Sequence, residues 1–376
     1  MEGINHNRSP IAVPKQIKWL GLSVAIALSG CSINQPVDHN AIEQSNLYEG
    51  RAPLSFAGME KVDSPEQALV EGDKAVQRGE FDKGLFYFIQ GIQLDQNSAE
   101  NFYRIGWVHM QRNNVVKATT AIEGALNADP NHVSANEARG VLYLQENRYD
   151  KAEQYFSRAI ELDKQRIAEQ ILAADEASEN EDIAEDEITD AETDGEASSV
   201  DASETVVDAK PAAPTFDTES PAKAYNGAGI IADLNGRQIE ALEHYETSLA
   251  INPDSAMTIN NRGYSLYLAG EWDLAIAAFQ KAIRLDKSYK QAWRNLGLLY
   301  ARKQNYAMAL NAFTQAMSEA EAYNDLGYIC LLEGNYARAE RYFDNALRLS
   351  PTFYVKAQSN LELARRLKQQ QGISKR

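Results

Sequence analysis

The sequence predicts an all-α solenoid of about seven helix hairpins, closed by a C-terminal capping helix. Three observations predict it. Gly72, Gly106 and Gly140 stand 34 residues apart, as do Gly229, Gly263 and Gly297, and Gly327 follows after 30. Twelve residues beyond each glycine comes a small side chain or another glycine: Gly84, Ala118, Ala152, Ala241, Ala275, Ala309 or Ala339. Four residues further on comes a large apolar one: Phe88, Ile122, Phe156, Tyr245, Phe279, Phe313 or Phe343. A glycine inside a helix costs about 1 kcal/mol relative to alanine, so seven at one phase demand a packing reason. Two antiparallel helices approach closely only where side chains are small. The expected contact therefore sets the glycine of the first helix of each hairpin (helix A) against the first alanine of the second (helix B), with the aromatic beside it. Asp129-Pro130, Asn252-Pro253 and Ser350-Pro351 stop helix B in three units, because proline cannot continue a helix.

The period and the small–aromatic pattern resemble the tetratricopeptide repeat. Taken from the N-terminus, residues 1–30 carry Arg8, Lys15 and Lys18 and then the apolar run Trp19 to Ala27. This reads as a secretory signal peptide, its apolar part too short to span a membrane. The run enters Leu28-Ser29-Gly30-Cys31, which is similar to the lipobox of bacterial lipoproteins. That resemblance implies cleavage before Cys31, acylation of its thiol and new amine, and anchorage of the chain by lipid. Two or more acyl chains give stable anchoring where one is marginal. Ser32, in place of aspartate, implies the outer membrane, with the fold facing the periplasm. Residues 31–64 then form a tether that lacks sustained periodicity. Ser64-Pro65 places an N-cap before a proline at the first helical position.

Three repeats follow over 65–166, the first the weakest match, with Gly84 and Gly91 in helix B. In the third, the pattern allows helix B to run on to about Ala174. Residues 167–221 form an acidic insert, expected to be disordered from its charge run and its closing Lys210-Pro211-Ala212-Ala213-Pro214. Four repeats occupy 222–353, the sixth of the seven being four residues short, so the superhelix is expected to change pitch there. A capping helix is expected over 354–370 and a frayed tail over 371–376.

Net charge is −17, but its location matters more than its size. The insert holds 18 acids and one base; the remainder has 36 acids and 36 bases and is neutral. This removes the electrostatic case for nucleic-acid binding. The five histidines (His6, His39, His109, His132, His244) show no metal-ligand spacing with acids or cysteines. No phosphate loop, nucleophile elbow or zincin motif appears. The sequence thus points to no catalytic residue, metal, cofactor or small-molecule substrate. Cys330 takes a helix-A position that Tyr143 and Tyr300 fill elsewhere, and reads as a buried apolar residue.

What remains is the face presented by stacked A helices. In the repeat family the fifth, ninth and twelfth positions of each unit line a groove. Carried over, they are Tyr103, Trp107 and Met110 in the second repeat, Asn260, Tyr264 and Tyr267 in the fifth, Arg294 in the sixth, and Asn324 and Tyr328 in the seventh. Aromatics with a few amides and one arginine suit a peptide, apolar anchors giving affinity and amides bonding its backbone. The lipobox, the tether and the late short repeat Ala322-Tyr323-Asn324-Asp325-Leu326-Gly327-Tyr328 together resemble the TadD-like lipoproteins of tight-adherence (Tad/Flp) pilus assembly. The resemblance implies a scaffold or pilotin-like factor whose protein partners are the pilus secretin or other Tad machinery components. An adaptor for peptidoglycan hydrolases is the alternative, and an enzyme of envelope metabolism a remote third.

Overall fold

The computed structural model describes residues 61–189, 216–352 and 354–374; the signal sequence, Cys31, most of the tether and 190–215 lie outside the described residues. Among the described residues there are fifteen helices and no strand. Fourteen pair as seven hairpins: α1 (Pro65–Gln77) with α2 (Phe81–Leu94), α3 (Ala99–Gln111) with α4 (Val115–Ala128), and α5 (Val133–Gln145) with α6 (Tyr149–Thr189). Beyond the insert, α7 (Ala222–Leu234) pairs with α8 (Gln238–Ile251), α9 (Ala256–Leu268) with α10 (Trp272–Leu285), α11 (Lys290–Arg302) with α12 (Tyr306–Thr314), and α13 (Glu319–Leu332) with α14 (Tyr336–Leu349). The capping helix is α15 (Val355–Ser374). Each hairpin packs on the next, giving the solenoid.

Every A–B turn contains one residue with positive φ at the same phase: Gly79, Asn113, Asn147, Gly236, Gly270, Gln304 and Gly334. This residue reverses the chain after helix A, and Gly or Asn adopts it cheaply. Helix starts are capped locally. Ser64 accepts from the Gln67 N–H, Ser255 from that of Thr258, and Ser318 forms a reciprocal capping box with Glu321.

The helical glycines do make the hairpins close, and in most of them the atoms nearest the glycine belong to the helix-B ring. A methyl on Gly297 would stand 2.7 Å from Phe313, one on Gly327 2.6 Å from Phe343, and one on Gly263 2.9 Å from Phe279. The glycine is therefore the seat of the helix-B ring. Ala118, Ala275 and Ala309 are fully buried beside it, one turn away on the same helix face.

Three boundaries differ from the sequence expectation. Helix α6 continues to Thr189, past the Ala174 to which the sequence pattern carries it. No glycine or proline occurs between Tyr149 and Asp194, and alanine, glutamate and leucine favour helix. The other edge of the insert is also part of the fold: Arg166 donates to both carboxylate oxygens of Asp217 at 2.8 Å and to buried Asp163 at 2.6 Å. At the C-terminus α15 passes through the expected tail as far as Ser374, the helix formers Lys368 to Gln371 carrying it up to Gly372.

The stack does not break where the sequence does. Phe156 of α6 fills the space over Gly227 of α7, within a cluster of Tyr143, Ala152, Ala159, Ala224 and Ile231. Glu137 of α5 accepts from the Lys223 and Ala224 N–H groups at 2.8 and 3.1 Å, satisfying orphan donors at the start of α7. The third and fourth repeats are thus spatial neighbours across the insert.

Candidate functional site: the helix-A face

The groove positions fall into two groups. Tyr103, Trp107, Met110 and Tyr267 are half-buried, while Tyr264, Tyr328 and Arg294 are exposed, the first two at 38% and 39%. The Tyr103 ring packs 5.3 Å from that of His132, and burial pushes its hydroxyl up to about 12. Tyr264, Tyr267 and Trp272 form one run, with ring centroids 5.7 and 6.5 Å apart. Beneath Tyr264 sits Asp233, held above the usual carboxylate range by burial; it accepts from Ser265 at 2.8 Å and Tyr245 at 3.0 Å.

Asn260 and Asn324 are different. They are 2% and 0% exposed, and their amides are already engaged. Asn295 donates to Asn260 at 2.9 Å, Asn261 to Asn226 at 3.0 Å, and Asn360 of α15 to Asn324 at 3.1 Å. Each bond joins one A helix to the next, so these amides fix the stacking of repeats and are not free to hold a peptide backbone. A buried amide left unpaired would cost its full desolvation penalty, which is why they pair. Sequence reasoning missed Asn226, Asn261, Asn295 and Asn360; their spacing of 35 or 36 residues, one repeat plus one or two positions, was the available signal.

Between the sixth and seventh repeats the corresponding pair is Arg294 and Asp325, and no salt bridge joins them among the described residues. Burial holds Asp325 above the usual carboxylate range, with Lys356 and Arg294 pulling it back. This is also where helix B is short: α12 has 9 residues, where α2, α4, α8, α10 and α14 have 14. Cys330 is buried and its thiol is pushed up to about 11 by burial.

Four profile matches fall within the stacked hairpins just described. "Tetratricopeptide repeat" models match residues 103–167, 292–326 and 320–353, and a "TPR repeat" model matches 263–304. The chain is a tetratricopeptide-repeat protein. Among similar proteins, BBSome complex member BBS4 of Xenopus tropicalis is 31% identical over 129 residues, covering 32% of this chain but 24% of that protein's length. Photosystem I assembly protein Ycf3 of Prochlorococcus marinus (strain MIT 9215) is 28% identical over 149 residues, 38% of this chain and 85% of that one. Of solved structures, PilW, a widely conserved type IV pilus biogenesis factor, aligns with TM-score 0.46 at 18% identity over 70% of this chain and 98% of its own. YrrB, a TPR protein with an unusual peptide-binding site, aligns with TM-score 0.36 at 16% identity over 62% and 91%. These structural likenesses concern the fold. The matched families are interaction scaffolds, and none is catalytic.

Proposed function

We propose that this tetratricopeptide-repeat protein is a lipid-anchored assembly scaffold that holds a component of a Tad/Flp pilus machine, the secretin or a subunit beside it, at the periplasmic face of the outer membrane. The observation that carries the scaffold reading is the helix-A face of the fifth to seventh repeats. There Tyr264 and Tyr267 form a run of partly exposed rings with Trp272 at the adjoining start of helix B (α10), followed by exposed Arg294 and Tyr328. Tyrosine, tryptophan and arginine are the residues that concentrate binding energy at protein interfaces. Because the inter-repeat amide bonds already fix the helices beneath them, little ordering cost falls on binding.

The anchor is supported by Leu28-Ser29-Gly30-Cys31, and the pilus assignment by the resemblance of the late short repeat and the lipobox to the TadD-like lipoproteins. The relative covered over 85% of its length is itself named an assembly protein, which agrees with the general role.

Deletion of the gene tests the pilus reading: secretin multimers or surface pili are expected to be lost, and normal levels of both would refute it. Cys31→Ala tests the anchor, moving the protein from the membrane to the soluble fraction; retention in the membrane would refute lipidation. Tyr264→Ala with Trp272→Ala is expected to weaken partner binding at least about tenfold while leaving helix content unchanged.

A further inference from the structure

We infer that the edge of the solenoid formed by the A–B turns of the fourth to seventh repeats is a self-association surface, on which a second copy of this chain packs about a two-fold axis. The inference goes beyond the scaffold reading and is independent of what the helix-A face holds.

The A helices of successive hairpins pack on one another, α7 on α9, α9 on α11 and α11 on α13, so the A–B turns fall along one edge. Ion pairs between repeats fix the register there. Lys303, beside the sixth turn, pairs with Asp273 of the fifth repeat, and Arg302 with Glu333 of the seventh at 3.9 Å. Among these turns stand Leu234, Ile239, Leu268, Leu274, Met308 and Leu332, which are 44% to 79% exposed.

The hairpin itself does not require these side chains. Leu234, Leu268 and Leu332 each lie five residues after the helix-A glycine, where the first three repeats carry Gln77, Gln111 and Gln145. Leu274 and Met308 stand just before the first small residue of helix B, where those repeats carry Lys83, Lys117 and Lys151. Ile239 stands one position earlier, with Asp82, Val116 and Asp150 as its counterparts. Val116 is thus the one aliphatic among these counterparts, although the two sets of hairpins are built alike. The aliphatic edge of the later repeats therefore serves something outside the hairpin.

Area and charge select the occupant. At these exposures each side chain presents on the order of 100 Å², so the stripe offers roughly 600 Å², the upper end for the largest apolar patch of an ordinary monomer. Two such stripes face to face bury about 1,200 Å², where stable protein interfaces begin. The bordering charges balance. Arg237 pairs with Glu240 at 2.8 Å, Lys303 and Arg302 pair as described, and Glu271 and Arg338 add one of each sign. Asp233 is turned inward to Ser265 and Tyr245. An edge without net charge draws neither an anionic headgroup nor a charged peptide, and it does not repel its own copy. Its aliphatic knobs recur once per repeat. A two-fold related edge presents the same interval in reverse order, so the knobs of one copy can enter the gaps of the other, which is the self-complementarity an isologous interface needs.

The test is sedimentation equilibrium on the full Cys31→Ala chain, which carries no acyl anchor. A reversible dimer that dissociates in the micromolar range or below is expected. Leu234→Gln with Leu268→Gln and Leu332→Gln places at each turn the residue that the first three repeats carry. This triple variant should weaken the dimer at least about a hundredfold, with far-UV circular dichroism and melting temperature unchanged. A parent chain that stays monomeric at every concentration, or a dimer indifferent to the triple substitution, overturns the inference. So does binding of a monomeric parent chain to phosphatidylcholine vesicles that is lost in the triple variant, which would make the stripe a lipid contact. Each of these results leaves the scaffold reading standing, because that is decided separately by the deletion phenotype and by Tyr264→Ala with Trp272→Ala.

Discussion

Replacing Gly297 by alanine separates the packing found here from the one expected of the sequence. The new methyl would lie 2.7 Å from Phe313 Cδ1 and 2.8 Å from Cε1. Carbon contacts sit near 3.5–4.0 Å, so the ring must retreat by roughly 1 Å. It has nowhere to go: Phe313 is buried among Ala309, Leu326 and Ile329. Overpacking of this kind costs about 1–3 kcal/mol, and alanine returns about 1 kcal/mol of helix propensity. With so short a contact the net loss is expected near the upper end, about 1–2 kcal/mol. Urea denaturation followed by circular dichroism measures it, in double-mutant cycles with Phe313→Leu and with Ala309→Gly. Coupling of about 1 kcal/mol should appear with Phe313→Leu, which removes the offending ring, and not with Ala309→Gly. If Gly297→Ala stabilises the protein, or couples to Ala309 instead, the ring-seat argument fails.

Three further outcomes are expected. Gln304 is the A–B turn residue with positive φ that is neither Gly nor Asn, so Gln304→Gly should stabilise by about 0.5–1 kcal/mol, and a lower urea midpoint would contradict this. Arg166 holds the Asp217 carboxyl down to about 2. Their clasp therefore adds stability that is complete above the ordinary carboxyl value of about 3.9 and is lost as pH falls through about 2. Asp217→Asn should flatten the melting temperature between those values, and an unchanged acid limb would count against the clasp. Cys330, with its thiol buried and pushed up to about 11, should resist a maleimide at pH 8 in the folded chain and react in urea; rapid native labelling would show the seventh hairpin opens readily.

The repeat was legible because a glycine and an aromatic sixteen residues apart leave a mark that survives substitution around them. Which residue the glycine touches was not, since Ala309 and Phe313 lie one turn apart on the same face and spacing alone cannot rank them. Helix α6 outruns the Ala174 that its apolar pattern indicates because alanine, leucine and the absence of glycine or proline favour continued helix among the acids. At the site, Tyr264, Tyr267, Tyr328 and Arg294 were legible from position within the repeat, whereas Trp272, at the start of α10, was not. Asn260 and Asn324 occupy the same positions, yet their partners Asn295 and Asn360 come from the following helix. A reading unit by unit has no access to a bond made between units.

The seat of Phe156 over Gly227 has a consequence for the history of each molecule. During synthesis the third hairpin emerges with one flank bare and waits while some fifty residues of insert are made before its neighbour arrives. Once that neighbour has landed, continuity of the polypeptide no longer matters to the assembly. A single cut between 190 and 215 should yield two fragments that migrate together in native gels and separate only in denaturant, one body made from two pieces.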